Sequence, residues 1–150
     1  MKKYVLVFLA IALAAFLLYY ISDTFSPGSY GDAATYELNI GESDLIALIE
    51  KFKEDNPQFQ VPKRSQLLDH RNNHWYVIYF YYPEEDRIIY TWTRPSGKNK
   101  TTFALVSVND GSMLGKWKDV NKDLSRTESK SQIEKFEELI LKKIREEINH

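Results

Sequence analysis

The chain of 150 residues contains no cysteine. This absence excludes disulfide bonds, thiol-based catalysis, zinc sites built from thiolates and anchoring through a lipid-modified cysteine. A folded domain in this chain is therefore held together by its apolar core alone, which a domain of more than about 100 residues can supply.

The sequence also lacks the common signatures of catalysis. It has no G-x-S-x-G, no H-E-x-x-H, no phosphate-binding loop and no dinucleotide-binding fingerprint. The adjacent carboxylates Glu84, Glu85 and Asp86 fall in a predicted turn, where water solvates them, so we do not expect them to act as a catalytic acid–base pair. We therefore expect no enzymatic activity and no cofactor.

An excess of positive charge is missing as well. The chain carries 20 Lys and Arg residues against 21 Asp and Glu residues, for a formal net charge of −1. Domains that bind nucleic acids normally present a basic face. We therefore expect no nucleic-acid partner.

What the sequence does have is a long apolar run near its start. Residues 4–21, YVLVFLAIALAAFLLYYI, are uncharged and follow Lys2 and Lys3. A helix of this length rises about 27 Å, close to the roughly 30 Å of a hydrocarbon core. A cleaved signal peptide has a shorter apolar segment that ends in small residues. We predict a retained transmembrane signal anchor at residues 1–21, and cleavage is the alternative.

Charge predicts the orientation of this anchor. Two lysines precede the run and Asp23 is the first charge after it, so the N-terminus is expected in the cytoplasm. Residues 22–34, SDTFSPGSYGDAA, are small and polar and predict a flexible tether. Residues 35–150 are then a periplasmic or extracellular domain on a single-pass protein of the plasma membrane.

Hydrophobic periodicity predicts an α+β fold for this domain. A strand at residues 35–40 precedes a helix at 44–55, and a helix of about twenty residues near Ser129 ends the chain. Four strands with short turns lie between them and predict an antiparallel meander, at residues 74–82, 87–93, 101–108 and 112–118. The first helix is expected to pack on the concave face of this curved sheet.

This order of elements resembles that of cystatin-like and NTF2-like α+β rolls. The resemblance concerns the order of elements alone. It implies a helix packed into the sheet, and in some rolls a ligand cavity between them.

The strand at 74–82 has apolar or aromatic side chains on both faces, whereas a half-buried strand alternates apolar with polar. The helix at 44–55 covers one face. The second face is either covered by the C-terminal helix or open to a partner or ligand. The C-terminal helix carries an apolar stripe that could pack on the sheet, formed by Ile133, Phe136, Leu139, Ile140, Ile144 and Ile148.

Aromatic side chains and one arginine on these strands form a candidate interaction face. Trp92 and Arg94 lie two residues apart on one strand, so they can form a cation–π pair. Tyr, Trp and Arg are the residues typical of interface anchors. We expect Trp92→Ala or Arg94→Ala to leave the fold intact and to weaken association. The candidate face consists of Tyr76, Tyr79, Tyr81, Tyr90, Trp92 and Arg94.

The histidines at 70 and 74 have the spacing of metal ligands on one helix, with Asp69 as a third ligand. Asn72 and Asn73 interrupt any helix here, and His74 opens the predicted strand. The sequence therefore predicts a solvated loop and no metal site.

Two functions follow from these features. The first is a membrane-tethered protein-binding domain, either an accessory subunit of an envelope complex or an immunity-type inhibitor of a toxin. The alternative is a small-ligand-binding roll or a cryptic enzyme, with a pocket between the helix at 44–55 and the sheet. Large core residues such as Phe52 and Phe80 would fill such a pocket.

Overall fold

The computed structural model describes residues 31–110 and 114–149. The anchor predicted at residues 1–21 lies outside these ranges, as does most of the tether predicted at residues 22–34. Among the helices of the described ranges, none is both long and apolar enough to cross a membrane.

The described residues form an α+β domain, as predicted. Its strands are β1 (Ala34–Leu38), β2 (His70–Arg71), β3 (Tyr76–Tyr82), β4 (Arg87–Gly97), β5 (Lys100–Asp110) and β6 (Lys118–Asp119). Its helices are α1 (Glu42–Asp55), α2 (Arg126–Phe136) and α3 (Lys142–Ile148), and a π-helical turn at Glu137–Leu141 joins α2 to α3.

The strands form one antiparallel sheet in the order β1-β5-β4-β3-β2, and β6 also pairs with β5. The predicted meander is present in β3, β4 and β5. The predicted strand at 112–118 is wrong for its described part, since only Lys118 and Asp119 pair with β5. In this register an extension of β6 beyond Asp119 would soon meet β1, which occupies the edge of β5 at residues 101–105.

The C-terminal helix, which comprises α2, the π turn and α3, begins at a capping box. Ser125 Oγ accepts a hydrogen bond from the backbone N–H of Glu128, and the Glu128 side chain accepts one from the backbone N–H of Ser125. The helix therefore begins at Arg126, ahead of the predicted start near Ser129. In the π turn the backbone N–H of Lys142 donates to the carbonyl of Glu137.

Both α1 and the C-terminal helix pack on the same face of the sheet, called here the first face. Phe80 is fully buried at its centre, with the rings of Phe52, Phe103 and Phe136 at 6.4, 6.5 and 6.4 Å. The C-terminal helix therefore does not cover the second face. α1 has 14 residues, which is about 21 Å of helix. It is too short to cover the whole first face, so the C-terminal helix packs on the remaining part of that face.

A charged network fixes the C-terminal helix to the turn between β3 and β4. The Glu85 carboxylate accepts hydrogen bonds from Lys135 Nζ and from Gln132 Nε2, and it pairs with Arg87 Nη1 at 2.9 Å. Burial raises the pKa of Glu85, but the hydrogen bonds from Lys135 and Gln132 and the nearby cations lower it further, so that the net pKa is below its usual value.

Glu85→Gln should lower the free energy of unfolding by about 1–2 kcal/mol at neutral pH, because charge-assisted hydrogen bonds are lost from a partly exposed site. The pKa of Glu85 is lower in the folded state than its unfolded value of about 4.3. The stabilisation is therefore present above that value and is lost as the pH falls through the folded pKa. Urea unfolding at several pH values measures this, with Glu84→Gln, an exposed neighbour in the same turn, as the control. An equal loss in both variants, or a loss that persists at low pH, would contradict the network.

Candidate interaction face

The second face of the sheet is the one opposite the helices, and five of the six predicted site residues lie on it. The strand register places Val77 opposite Trp92 and Tyr79 opposite Tyr90. Tyr79, Tyr81, Tyr90, Trp92 and Arg94 therefore share this face. Tyr76 does not, because it alternates with Val77 along β3 and packs against the core of the first face.

A pair of tryptophans occupies one end of the second face. The rings of Trp75 and Trp92 stack with their centroids 5.8 Å apart, and the Arg94 guanidinium carbon lies 5.9 Å from the Trp92 centroid. The predicted cation–π geometry is present. Trp92 is only 5 % exposed, however, so it is a buried residue and does not extend freely into solvent.

Three aromatic rings, called here the aromatic cluster, lie farther along the same face. Tyr79 and Tyr90 are 5.6 Å apart, and Trp117 lies 6.0 Å from Tyr79 and 5.8 Å from Tyr90. Trp117 precedes β6 and is half-buried. The sequence pattern predicts a strand at Trp117, but Trp117 is not among the six residues predicted for the interaction face. The alternation of charged and aromatic residues in Lys116-Trp117-Lys118 could have indicated that the Trp117 side chain lies on one face of the sheet.

Polar contacts border the aromatic residues at two edges. Tyr81 donates a hydrogen bond of 2.6 Å to Asp86, which also pairs with Arg64 at 2.9 Å. At another edge Glu37 accepts hydrogen bonds from Ser96 and Thr102, and these lower the pKa of its carboxyl group. The second face therefore combines an aromatic centre with a polar, charged border, as protein interfaces do.

The two histidines have separate surroundings. His70 Nδ1 lies 2.9 Å from the carbonyl oxygen of Leu68, and its ring stacks on Tyr79. The ring of His74 instead lies against Trp75. Across residues 31–110 and 114–149, no three acidic or histidine side chains are grouped as metal ligands.

The space between α1 and the sheet is filled. Leu45, Ile49 and Phe52 from α1 meet Phe80 and Phe103 from the sheet, and all five are buried. A cleft of about 490 Å³ lies outside this interface, where α1 faces the segment at residues 60–69. The Lys53–Asp69 ion pair, with its atoms 2.5 Å apart, occupies its wall.

Comparisons of the chain with protein-family models, with curated proteins and with solved structures gave no match. Its function is therefore inferred from its own residues.

Proposed function

We propose that this chain is a single-pass membrane protein of the cell envelope whose domain at residues 35–150 binds another protein. The second face of the sheet is the binding surface. In this role the chain serves as an accessory subunit of an envelope complex or as an immunity-type inhibitor of an incoming toxin. The apolar run at residues 4–21, preceded by two lysines, supports the membrane location.

The composition and placement of the second face support the binding role. Both α1 and the C-terminal helix pack on the first face, so neither covers the second face, whose centre is nevertheless buried at Val77, Ile88 and Ala104. Tyr81, Arg94 and Trp117 on this face are partly exposed. Residues of these types dominate the binding energy of protein interfaces.

The same structure favours protein binding over the small-ligand roll. A roll that holds a ligand needs a cavity between its helix and its sheet, with a few buried polar groups. Here Phe52, Phe80 and Phe103 fill that space. The resemblance to cystatin-like and NTF2-like rolls therefore concerns the order of elements only. It does not extend to the ligand cavity that some of these rolls have.

A topology experiment tests the location. A reporter that is active only in the cytoplasm should be silent when fused after His150, and a reporter that needs export should be active. N-terminal sequencing of the membrane-bound protein should recover the residues before the apolar run. An active cytoplasmic reporter would contradict the location, and a mature protein that starts after residue 21 would contradict the retained anchor.

A variant comparison in intact membranes tests the binding role. Arg94→Ala and Trp117→Ala should each leave the domain folded and weaken the association found by crosslinking, by about 2 kcal/mol for a central anchor. Lys142→Ala, at an exposed position of the C-terminal helix, is the control and should leave the association unchanged. If Lys142→Ala weakens the association and neither Arg94→Ala nor Trp117→Ala does, the second face is not the binding surface.

A further inference from the structure

One edge of the sheet ends in a strand without an outer neighbour. β1 is the end strand of the order β1-β5-β4-β3-β2, so its outer backbone edge pairs with no strand of residues 31–110 and 114–149. This outer edge of Ala34–Leu38 is called here the open edge. The side chains of Thr35 and Glu37 on β1 are exposed. An unpaired strand edge presents a row of N–H and C=O groups, to which a further strand can be added.

The opposite edge of the sheet is protected against such pairing. β2 has only two residues, His70 and Arg71. Next to it, Asp69 Oδ1 accepts a hydrogen bond of 2.9 Å from the backbone N–H of Tyr79 on β3. Proteins protect sheet edges with short strands, covering groups, proline, lysine or bulges. β1 has five residues, contains neither proline nor lysine, and pairs with β5 without a bulge. The open edge therefore lacks these protections.

The single charge of β1 is directed away from the open edge. The Glu37 carboxylate accepts hydrogen bonds from the hydroxyl groups of Thr102 and Ser96. Thr102 lies on β5 directly opposite Glu37, and Ser96 lies on β4. The carboxylate thus extends over the interior strands of the sheet. Glu37 therefore does not block a strand that is added to the open edge.

The C-terminal helix lies over β1 at Tyr36. The rings of Tyr36 and Phe136 stack with their centroids 5.9 Å apart. The guanidinium carbon of Arg145 lies 5.8 Å from the centroid of Tyr36. Tyr36 is therefore next to the middle of the helical segment 136–145. An axis through Tyr36 that is perpendicular to the sheet passes close to the middle of this segment.

The exposed charges of the segment form an acidic block and a basic block. Glu137 and Glu138 come before its middle, and Lys142 and Arg145 come after it. Lys143 instead lines the groove between the helix and α1. None of the five forms an ion pair within residues 31–110 and 114–149. A two-fold axis reverses one helix relative to the other, so the acidic block of one copy is brought towards the basic block of a second copy. The segment is thus complementary in charge to itself.

We propose that two copies of this chain pair through their open edges, so that their two sheets become one continuous sheet. The two β1 strands run antiparallel about a two-fold axis through Tyr36. This register pairs all five residues of each strand, with Ala34 opposite Leu38 and Thr35 opposite Glu37. Because Glu37 meets Thr35 and not a second Glu37, no like charges are opposed. The pairing uses the backbone of β1 and does not depend on the proposed function of the second face.

Disulfide crosslinking of the full-length chain in freshly lysed cells tests the pairing and its register. The chain has no cysteine of its own, so every disulfide comes from introduced residues. Two differently tagged copies are produced together, one with Thr35→Cys and the other with Glu37→Cys, and a mild oxidant is added. Directly opposed residues have Cα atoms about 4.5–5.5 Å apart, within the range of about 4.4–6.8 Å of disulfides. We expect a mixed, disulfide-linked dimer.

Each variant alone is the control for the register. Two Thr35 residues are diagonal neighbours across the axis, about 7–8 Å apart, which is too far for a disulfide. The mixed sample should therefore give at least about ten times more disulfide than either variant alone. Thr35→Cys produced with His70→Cys, on the opposite edge of the sheet, should give none. Equal yields in all samples, or no disulfide in the mixed sample, would overturn the proposal and leave the open edge to another protein or to no partner.

Matched variants of the purified full-length chain test the pairing without a crosslink. Thr35→Glu places a carboxylate opposite Glu37 of the other copy, and the symmetric dimer contains this contact twice. Dimerisation should weaken about tenfold, whereas Thr35→Gln, which adds no charge, should change it less than about threefold. Analytical ultracentrifugation in a mild detergent measures both. Equal effects of the two variants, or a native chain that stays monomeric at every concentration, would overturn the proposal.

A charge exchange tests the contribution of the helix. Glu138→Lys should weaken dimerisation, because it places a cation near the basic block of the other copy. Adding Lys142→Glu to the same chain exchanges the two charges and should restore dimerisation. The same ultracentrifugation measurement compares the single and the double variant. No recovery in the double variant would show that the two helices do not face each other about this axis, and would overturn the proposal.

Discussion

Truncation of the chain after Glu128 should leave a protein that shows no cooperative unfolding and is aggregated or degraded in cells. The deletion removes Phe136, Ile140, Leu141 and Ile144, which are all 0 % exposed. Each fully buried apolar side chain contributes about 1.5–3 kcal/mol, so the four together contribute about 6–12 kcal/mol. Small domains have a total stability of about 5–15 kcal/mol, and few would survive this loss.

Thermal and urea unfolding followed by circular dichroism measures this effect. A truncation after Ile148 removes only the last two residues and is the control, which should unfold like the full chain. A chain truncated after Glu128 that unfolds cooperatively and only loses a partner would show that the apolar stripe is an interface instead of core.

Trp92→Ala should be the most destabilising single substitution on the second face. Trp92 is 5 % exposed, stacks on Trp75 and lies under Arg94. Replacing a buried tryptophan by alanine costs about 3–5 kcal/mol, because contacts are lost and a cavity is left. This reverses the expectation from the sequence, which placed Trp92 on an exposed surface.

Urea unfolding of the full-length protein tests this reversal, with Trp117→Ala as the matched control. Trp117 is half-buried, whereas Trp92 is 5 % exposed, so replacing Trp117 should cost only about 1 kcal/mol or less. If Trp92→Ala lowers the free energy of unfolding no more than Trp117→Ala does, Trp92 is a surface residue and the expectation from the sequence was right.

The α+β class and the central strands were predictable because the signals that define them are local. Apolar runs broken by turn residues mark β3, β4 and β5, and helical spacing marks α1. The position of the C-terminal helix was not predictable. An apolar stripe indicates that a helix is buried but does not indicate which face of the sheet it covers. The π turn moves Leu141 into the core beside Ile140, and the spacing of the stripe does not predict that shift.

The candidate site was only partly predictable for a similar reason. The alternation along β3 already separates Tyr76 from Tyr79 and Tyr81. By contrast, the contact of Trp117 with Tyr79 joins residues far apart in the sequence. The shared hydrogen bonding of Arg87 and Gln132 to Glu85 is also a long-range arrangement. Such contacts depend on the packing of whole elements, which residue patterns do not specify.

Site-specific photocrosslinking in intact cells tests most directly whether the second face is the binding surface. A photoreactive amino acid is placed at Tyr81, Arg94 or Trp117 on the second face, and at Lys51 or Lys142 on the helices. We expect one protein adduct of constant mass from the second-face positions and none from the helix positions. An adduct that forms only from Lys51 or Lys142 would contradict it.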